Sequence, residues 1–238
     1  MLTKVIRIDA NGPQGIGLQP MDLDSKDFQS PLPVQHVHEY FGDEEAGLSV
    51  GVWDTTTMQE AFGPYPGDEF IVVLEGCFAM VNGMGGAVPG SKGQSVCFRN
   101  AIPTSWKQDG YLKKVYLTWR DPGAQTPKIA SAGGGVIAID PVPLVEGEPD
   151  RIIFTNDTGN MTVSTRRMPV ADLAMAATAA HLLVRVVEGQ VTILAPDRQA
   201  DTFADGDIFF LPQGTVCSWS VHTPLSLHQV SLTVPSQA

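Results

Sequence analysis

The sequence predicts an all-β protein: two tandem antiparallel barrels in one chain. Short apolar runs alternate with turn residues, 24 Gly and 18 Pro in 238 residues, which punctuates strands rather than helices. "IVVLEGCFAMV" at 71–81 returns as "VRVVEGQVTIL" at 184–194, a shift of 113 residues from Glu75 to Glu188. The same shift carries Gly93 to Gly206, Trp106 to Trp219, Phe41 to Phe154, Val50 to Val163 and Leu112 to Leu225. Equal spacing of Glu-Gly, Gly and Ser-Trp without a gap is the signature of an internal duplication.

The repeated parts run over about 30–120 and 145–235. We therefore expect an N-terminal domain at 1–125 with an N-terminal extension, and a C-terminal domain at 126–238 with its preceding linker. The linker "RDPGAQTPKIASAGGGVIAIDPVP" has the Gly, Ala and Pro content of a crossing segment rather than a core element. In the first half Trp53–Phe62 reads as one strand, "DEFIVVLEG" as an apolar strand ending in a Gly turn, and "CFAMVNG" as its return. "GMGGAVPGSKG" (83–93) has no strand-to-helix context for a phosphate loop and reads as a hairpin loop. "QSVCF" and "DIFFLP" follow Gly turns, and "YLKKVYLTW" and "LSLHQVSLTV" close the halves with alternating faces. Residues 168–181 are Ala-rich enough for a helix, but the repeat sets them against 55–68, so an extended segment is expected.

Composition limits the function. A net charge of −11 repels phosphate backbones, so no nucleic-acid partner is expected. No apolar run is long enough to span a membrane, and no basic run points to a membrane surface. Cys77, Cys97 and Cys217 are an odd set without a CxxC, which fits reduced, packed thiols. "MLTKVIRIDA" lacks the apolar core of a secretory signal, and a cytoplasmic protein is expected.

Gly51, Trp53, Tyr65, Asp68, Glu69, Phe70, Leu74, Gly76, Gly93, Trp106, Lys114 and Tyr116 follow a recognisable order. It resembles the cupins, and more narrowly the group containing the ethanolamine-utilisation cupin and ureidoglycine aminohydrolase-like proteins. The second half keeps Glu188, Gly189, Gly206, Asp207, Pro212, Gly214 and Trp219. The resemblance implies a bicupin, two jelly-roll barrels in one chain, and a homodimer. It does not fix an activity, because this fold hosts many.

Metal-binding cupins carry Gly-x5-His-x-His-x(3,4)-Glu-x6-Gly and a later His. Here Glu69 and Gly76 match the Glu and Gly, but the imidazole positions fall on Phe62 and Pro64, or Gly63 and Tyr65, and the last on Thr104. In the second half the Glu position is Leu182, and Met175, Ala177, Ala176, Thr178 and Cys217 stand at the others. One carboxylate or one thiol is too few donors for a divalent metal, so no metal or other cofactor is expected. His36 and His38 share a strand face by period-2 alternation. They lie upstream of the motif and read as a surface or contact pair, with a surface metal as the alternative.

The remaining polar residues compose a small-molecule site. Glu69 shares a strand face with Ile71, Val73 and Glu75, and the resemblance points it into the barrel. There its pKa would rise, as suits a general acid or base; a structural hydrogen-bonded carboxylate is the rival reading. Trp53, Tyr65, Trp106 and Tyr116 supply rings with polar tips, and Lys114 shares a face with Tyr116, where it can pair with Glu69 or bind a carboxylate. In the second half His181, Arg185, Cys217 and His228 form the polar cluster, with Cys and His as a possible nucleophile and base. The expected function is binding of a small polar metabolite in the N-terminal barrel without the usual metal. The alternatives are a non-catalytic sensing or scaffold module and a metal-dependent aminohydrolase-like enzyme with atypical ligands.

Overall fold

The computed structural model describes residues 4–120 and 135–234, and in it the repeat recurs strand for strand. Leu48–Thr55 is matched by Met161–Met168, Asp68–Glu75 by His181–Glu188, Ser95–Phe98 by Ile208–Leu211, Pro103–Gln108 by Val216–Val221, and Leu112–Trp119 by Leu225–Leu232. Each pair is offset by the same 113 residues. Even an irregularity repeats: the first hairpin of one barrel shifts register between Glu39 and Phe41, that of the other between Ile152 and Phe154.

In the first unit, within Asp9–Pro141, the larger sheet runs in the order Val136–Ile139, Ser95–Phe98, Asp68–Glu75, Leu112–Trp119, Leu48–Thr55, Gln35–Asp43, Gln19–Pro20. The smaller sheet holds Met58–Gln59, Pro103–Gln108, Cys77–Asn82 and Ala87–Ser91, with Gly63–Pro64 also paired to Pro103–Gln108. Ile71, Val73, Val96, Phe98 and Leu112 from one sheet meet Met58, Phe78, Met80 and Trp106 from the other. That apolar layer is why the inward positions alternate along each strand.

The second unit lies within Val142–Ala238 and takes up residues 4–8. Its larger sheet is Ile6–Arg7, Ile208–Leu211, His181–Glu188, Leu225–Leu232, Met161–Met168, Arg151–Thr155, and its smaller sheet Ala171–Ala177, Val216–Val221, Val191–Leu194, Ala200–Phe203. Val184, Val186, Val191, Ile193, Phe209, Leu211 and Leu227 form its core.

The Glu-Gly of the repeat has a steric cause. Gly76 and Gly189 sit at φ 81° and 104°. A Cβ would approach Tyr111 O to 2.3 Å in one barrel and Pro224 O to 2.4 Å in the other. Only glycine fits both demands.

Several local expectations change. Residues 83–93 are not only a loop, because Ala87–Ser91 pairs with Cys77–Asn82. Trp53–Phe62 is not one strand: the first ends at Thr55 and the chain crosses to the other sheet at Met58–Gln59. The linker is partly core, since Val136–Ile139 extends the first barrel's sheet and buries Ile139; its stretch 121–134 lies outside the described residues. The domain division expected at 125/126 differs from the strand pairing at both ends. Val136–Ile139 pairs in the first unit and Ile6–Arg7 in the second. Residues 168–181 are extended, with a strand at Ala171–Ala177. Among the described residues, no helix is long and apolar enough to cross a membrane.

Candidate functional site

The inner face of Asp68–Glu75 carries Glu69, Ile71 and Val73, and all three are buried. Two strands share that face. Leu112–Trp119 presents Lys114 and Tyr116, and Leu48–Thr55 presents Trp53 as the direct register partner of Lys114. Lys114 reaches along the barrel, and its Nζ donates to Glu69 Oε1 at 2.9 Å. The other oxygen, Oε2, accepts from the Tyr65 hydroxyl. The Lys114 ammonium lies 4.9 Å from the centroid of Trp53 and 4.8 Å from that of Trp106, within cation–π range. Trp106 stacks on Phe78 at 3.9 Å, and Tyr65 on Phe98 at 4.9 Å. Both indole N–H groups are used: Trp106 Nε1 donates to Gln108 at 2.8 Å and Trp53 Nε1 to Gln35 at 3.3 Å. Burial, then the Glu69 charge, pushes the Tyr65 hydroxyl well above its ordinary range, so Tyr65 stays a donor.

Five of the expected residues, Glu69, Lys114, Tyr65, Trp53 and Trp106, thus form one constellation. Tyr116 lies on the same face but turns aside: its hydroxyl is 3.3 Å from Ser49 Oγ, which donates to Glu39 at 2.6 Å. There it lines a cleft of about 550 Å³ together with Glu39, Asp43, Thr118 and Arg120. Burial raises the Tyr116 hydroxyl to about 12, helped by Glu39 and Glu69.

One residue escaped the sequence reading. Glu60 follows Met58 by two positions, so it shares the inward face of a segment whose Met58 is core. Its backbone is fixed: Glu60 N donates to Trp106 O at 2.9 Å, and Phe28 bridges it from the segment before the barrel. Burial, with Glu69 and Asp27 nearby, pushes its carboxyl up to about 7 against the pull of Lys114. The signal was in the repeat. Under the shift of 113, Glu60, Glu69 and Lys114 fall on Leu173, Leu182 and Leu227.

The second barrel does not assemble its expected cluster. Cys217 faces the apolar core with Val184 and Leu211, and burial raises its thiol. Arg185 alternates with Val184 and Val186, and His228 follows Leu227, so both sit on the opposite strand face, as register partners of each other. Burial, then the Arg185 charge, lowers His228 to about 4. His181 also faces away from the core, stacked on Phe210 at 5.9 Å, with Gln213 N donating to its Nδ1 at 3.2 Å. Strand alternation therefore separates the thiol from both imidazoles, and no Cys–His nucleophile pair forms.

His36 and His38 share the face opposite Val37, which packs on the core, so they lie outside the barrel. His36 Nδ1 is 2.7 Å from Asp54 Oδ1, and Tyr111 donates to Asp54 Oδ2 at 2.9 Å. His38 meets Tyr40 edge-on at 4.6 Å.

The metal implied by the motif does not fit these residues. Thr104 and Gly63 are direct partners at ligand positions, and the Thr104 hydroxyl donates to Val81 O at 3.0 Å. Glu69 is engaged by an ammonium and a hydroxyl, and a second cation beside Lys114 would be repelled. Among the described residues, no group of three or more His, Cys, Asp or Glu is arranged to hold a metal ion.

Comparison with known proteins meets this geometry at the level of fold. Residues 158–227 match the EutQ-like cupin domain. A structure from Pseudomonas syringae pv. tomato, of unknown function, superposes with a TM-score of 0.73 at 17% identity, over 96% of this chain and 99% of that one. The chain folds as two cupin barrels. A cupin 2 conserved barrel protein from Leptotrichia buccalis gives 0.60 at 12% identity, over 92% and 98%. A variant salicylate 1,2-dioxygenase from Pseudoaminobacter salicylatoxidans gives 0.54 at 13% identity, over 78% and 71%. A search of curated proteins returned no match. The family match falls on the second cupin barrel, whereas the polar constellation is in the first.

Proposed function

We propose that the first cupin barrel binds a small polar metabolite without a metal ion, and that Glu60 exchanges a proton with it. One observation carries this reading. The two barrels share one strand plan, yet where the first places Glu60, Glu69 and Lys114 the second places Leu173, Leu182 and Leu227. The fold closes without the charges. A buried ion pair is weak support for stability compared with apolar packing of similar size, so its presence in one barrel alone supports a binding role.

The roles divide by environment. Glu69 is held by Lys114 and Tyr65, which makes the three a fixed polar wall with indole rings beside it. Glu60 is the carboxyl raised close to neutrality, the range in which an acid–base group gives and takes a proton efficiently. This moves the proton-carrying role from Glu69, where the sequence put it, to Glu60. Resemblance to the ethanolamine-utilisation and ureidoglycine aminohydrolase-like cupins supports small-molecule chemistry, but this donor set does not support metal-dependent hydrolysis. The acidic charge and unpaired cysteines support a cytoplasmic setting. The resemblance supports a homodimer.

The test is a metabolite screen by thermal shift on wild type, Glu69→Gln and Lys114→Met. Hits that stabilise wild type and lose their effect in both variants support the reading. A screen with no hit dependent on either residue favours the scaffold alternative.

A further inference from the structure

The two barrels treat the same sheet edge differently. In the first, a segment from before the barrel covers it: Gln29 N and Ser30 N donate to Gln59 O at 2.8 and 3.3 Å, Ala61 N donates to Asp27 O at 2.8 Å, and Phe28 bridges Glu60. The shift of 113 carries Gln59, Glu60 and Ala61 to Asp172, Leu173 and Ala174, inside Ala171–Ala177. It carries the covering residues Phe28, Gln29 and Ser30 to Pro141, Val142 and Pro143. Two of these are prolines, which have no N–H to donate. Asp140, at the position of Asp27, is engaged in the first unit, where its Oδ1 accepts from Gln94 Nε2 at 2.7 Å.

Ala171–Ala177 is consequently an open edge. It ends the smaller sheet of the second barrel, paired with Val216–Val221 on one side, and all of its residues after Ala171 are exposed. Among the described residues, no backbone hydrogen bond outside that ladder falls on it. Edges are normally guarded by Lys, by Pro or by a covering segment, because unpaired N–H and C=O groups are a template for another strand. This edge has neither Lys nor Pro, and it leaves Leu173 and Met175 43% and 45% exposed. Its single charge, Asp172, accepts from the Ser220 hydroxyl of its own sheet.

We infer that the occupant of this edge is a second copy of the chain, the two Ala171–Ala177 strands pairing antiparallel about a two-fold axis at Ala174. The sequence "ADLAMAA" favours a copy, because read backwards it nearly repeats its own pattern of small and long apolar residues. Pairing about Ala174 sets Leu173 against the partner's Met175 and Asp172 against the partner's Ala176. Long apolar side chains meet, and the two aspartates are not opposed, although each chain carries −11 overall. The strand shifts register between Leu173 and Ala176, and a two-fold copy brings the same bend to the axis. The inference rests on the homodimer that the resemblance supports and names its contact.

Sedimentation and light scattering over a series of concentrations read the assembly. The proteins are wild type, Leu173→Lys/Met175→Lys, and Met84→Lys as a control at an exposed apolar residue of the first barrel. Wild type and control should reach twice the 25.5 kDa chain mass. The double variant should keep its circular dichroism and raise the dissociation constant at least about tenfold. A second measurement needs no charge at the edge. Across an antiparallel pair, Cα atoms lie about 4.5–5.5 Å apart, within disulfide reach. Ala174→Cys in a Cys77→Ser background should therefore link two chains on mild oxidation, and Met84→Cys in the same background should not. If the double variant does not fold, the cross-link alone decides. A dimer undiminished by the double variant, or no link through Ala174→Cys, would overturn the inference and leave the homodimer standing. A wild type that stays monomeric at every concentration would overturn both.

Discussion

Lys114 Nζ donates to Glu69 Oε1 at 2.9 Å inside a barrel whose twin sets Leu227 and Leu182 at the same two positions. The pair is barely exposed, with side chains at 10% and 7% of their accessible area. Charges at that depth are costly to desolvate and give little net stability. The asymmetry between the barrels therefore supports the proposed binding role, and the depth of the pair sets what single substitutions should do.

Removing one partner should hurt more than the pair is worth. Lys114→Leu leaves Glu69 with only the Tyr65 hydroxyl, and Glu69→Leu leaves a buried ammonium against two indoles. Each is expected to lose about 3–5 kcal/mol in urea unfolding at pH 7. Tyr65→Phe removes one hydrogen bond to a charged acceptor and should lose about 1.5–3 kcal/mol.

Glu60 gives a pH signature. Its carboxyl is raised from 4.5 to about 7 in the folded state, so across that window the folded protein holds a proton that the unfolded chain has released. Stability from this group is full below about pH 4.5 and falls as pH rises towards 7, by at most about 3 kcal/mol. The difference in unfolding free energy between wild type and Glu60→Gln, followed by denaturation at several pH values, should show that slope. A difference that does not change with pH would contradict the assigned environment.

The two hairpin glycines should behave alike. Gly76→Ala and Gly189→Ala each force a side chain to positive φ and towards a carbonyl oxygen at 2.3 and 2.4 Å. Both should destabilise by more than about 1 kcal/mol. A marked effect at only one would argue against equivalent hairpins.

Metal content is a direct check. Protein purified without added metal should contain well under one transition-metal ion per chain by elemental analysis, and chelator treatment should leave its melting temperature unchanged. Near-stoichiometric metal that disappears in Glu69→Gln or in a His38 variant would contradict the donor argument.

Much of the fold was legible because the duplication records it twice. A strand that is ambiguous alone, such as the Ala-rich Ala171–Ala177, is settled by its counterpart at 55–68. Local misreadings came where turn residues hide pairing, as at Ala87–Ser91, or where Gly-rich composition precedes a short edge strand, as at Val136–Ile139. Period-2 alternation was enough to turn Glu69 and Lys114 towards one cavity, whereas Trp53 is set opposite Lys114 by the strand register. Alternation also shows that Arg185 and His228 face away from Cys217, which the list of polar residues concealed. Glu60 was missed because no local pattern in "TTTMQEAF" marks it; the repeat sets it against Leu173, and the turn of the chain onto the second sheet points it inward.

The most direct measurement is urea unfolding of Tyr65→Phe/Glu69→Leu/Lys114→Leu against wild type and the single variants, paired with the metabolite screen. Like the second barrel, this variant sets leucines in place of the ion pair, and it leaves no hydroxyl or charge of the trio unpaired. The account predicts recovery to within about 1 kcal/mol of wild type or better, with every Glu69-dependent ligand response lost. A triple variant at least as unstable as the worst single variant, or one that still binds the same ligands, would contradict it.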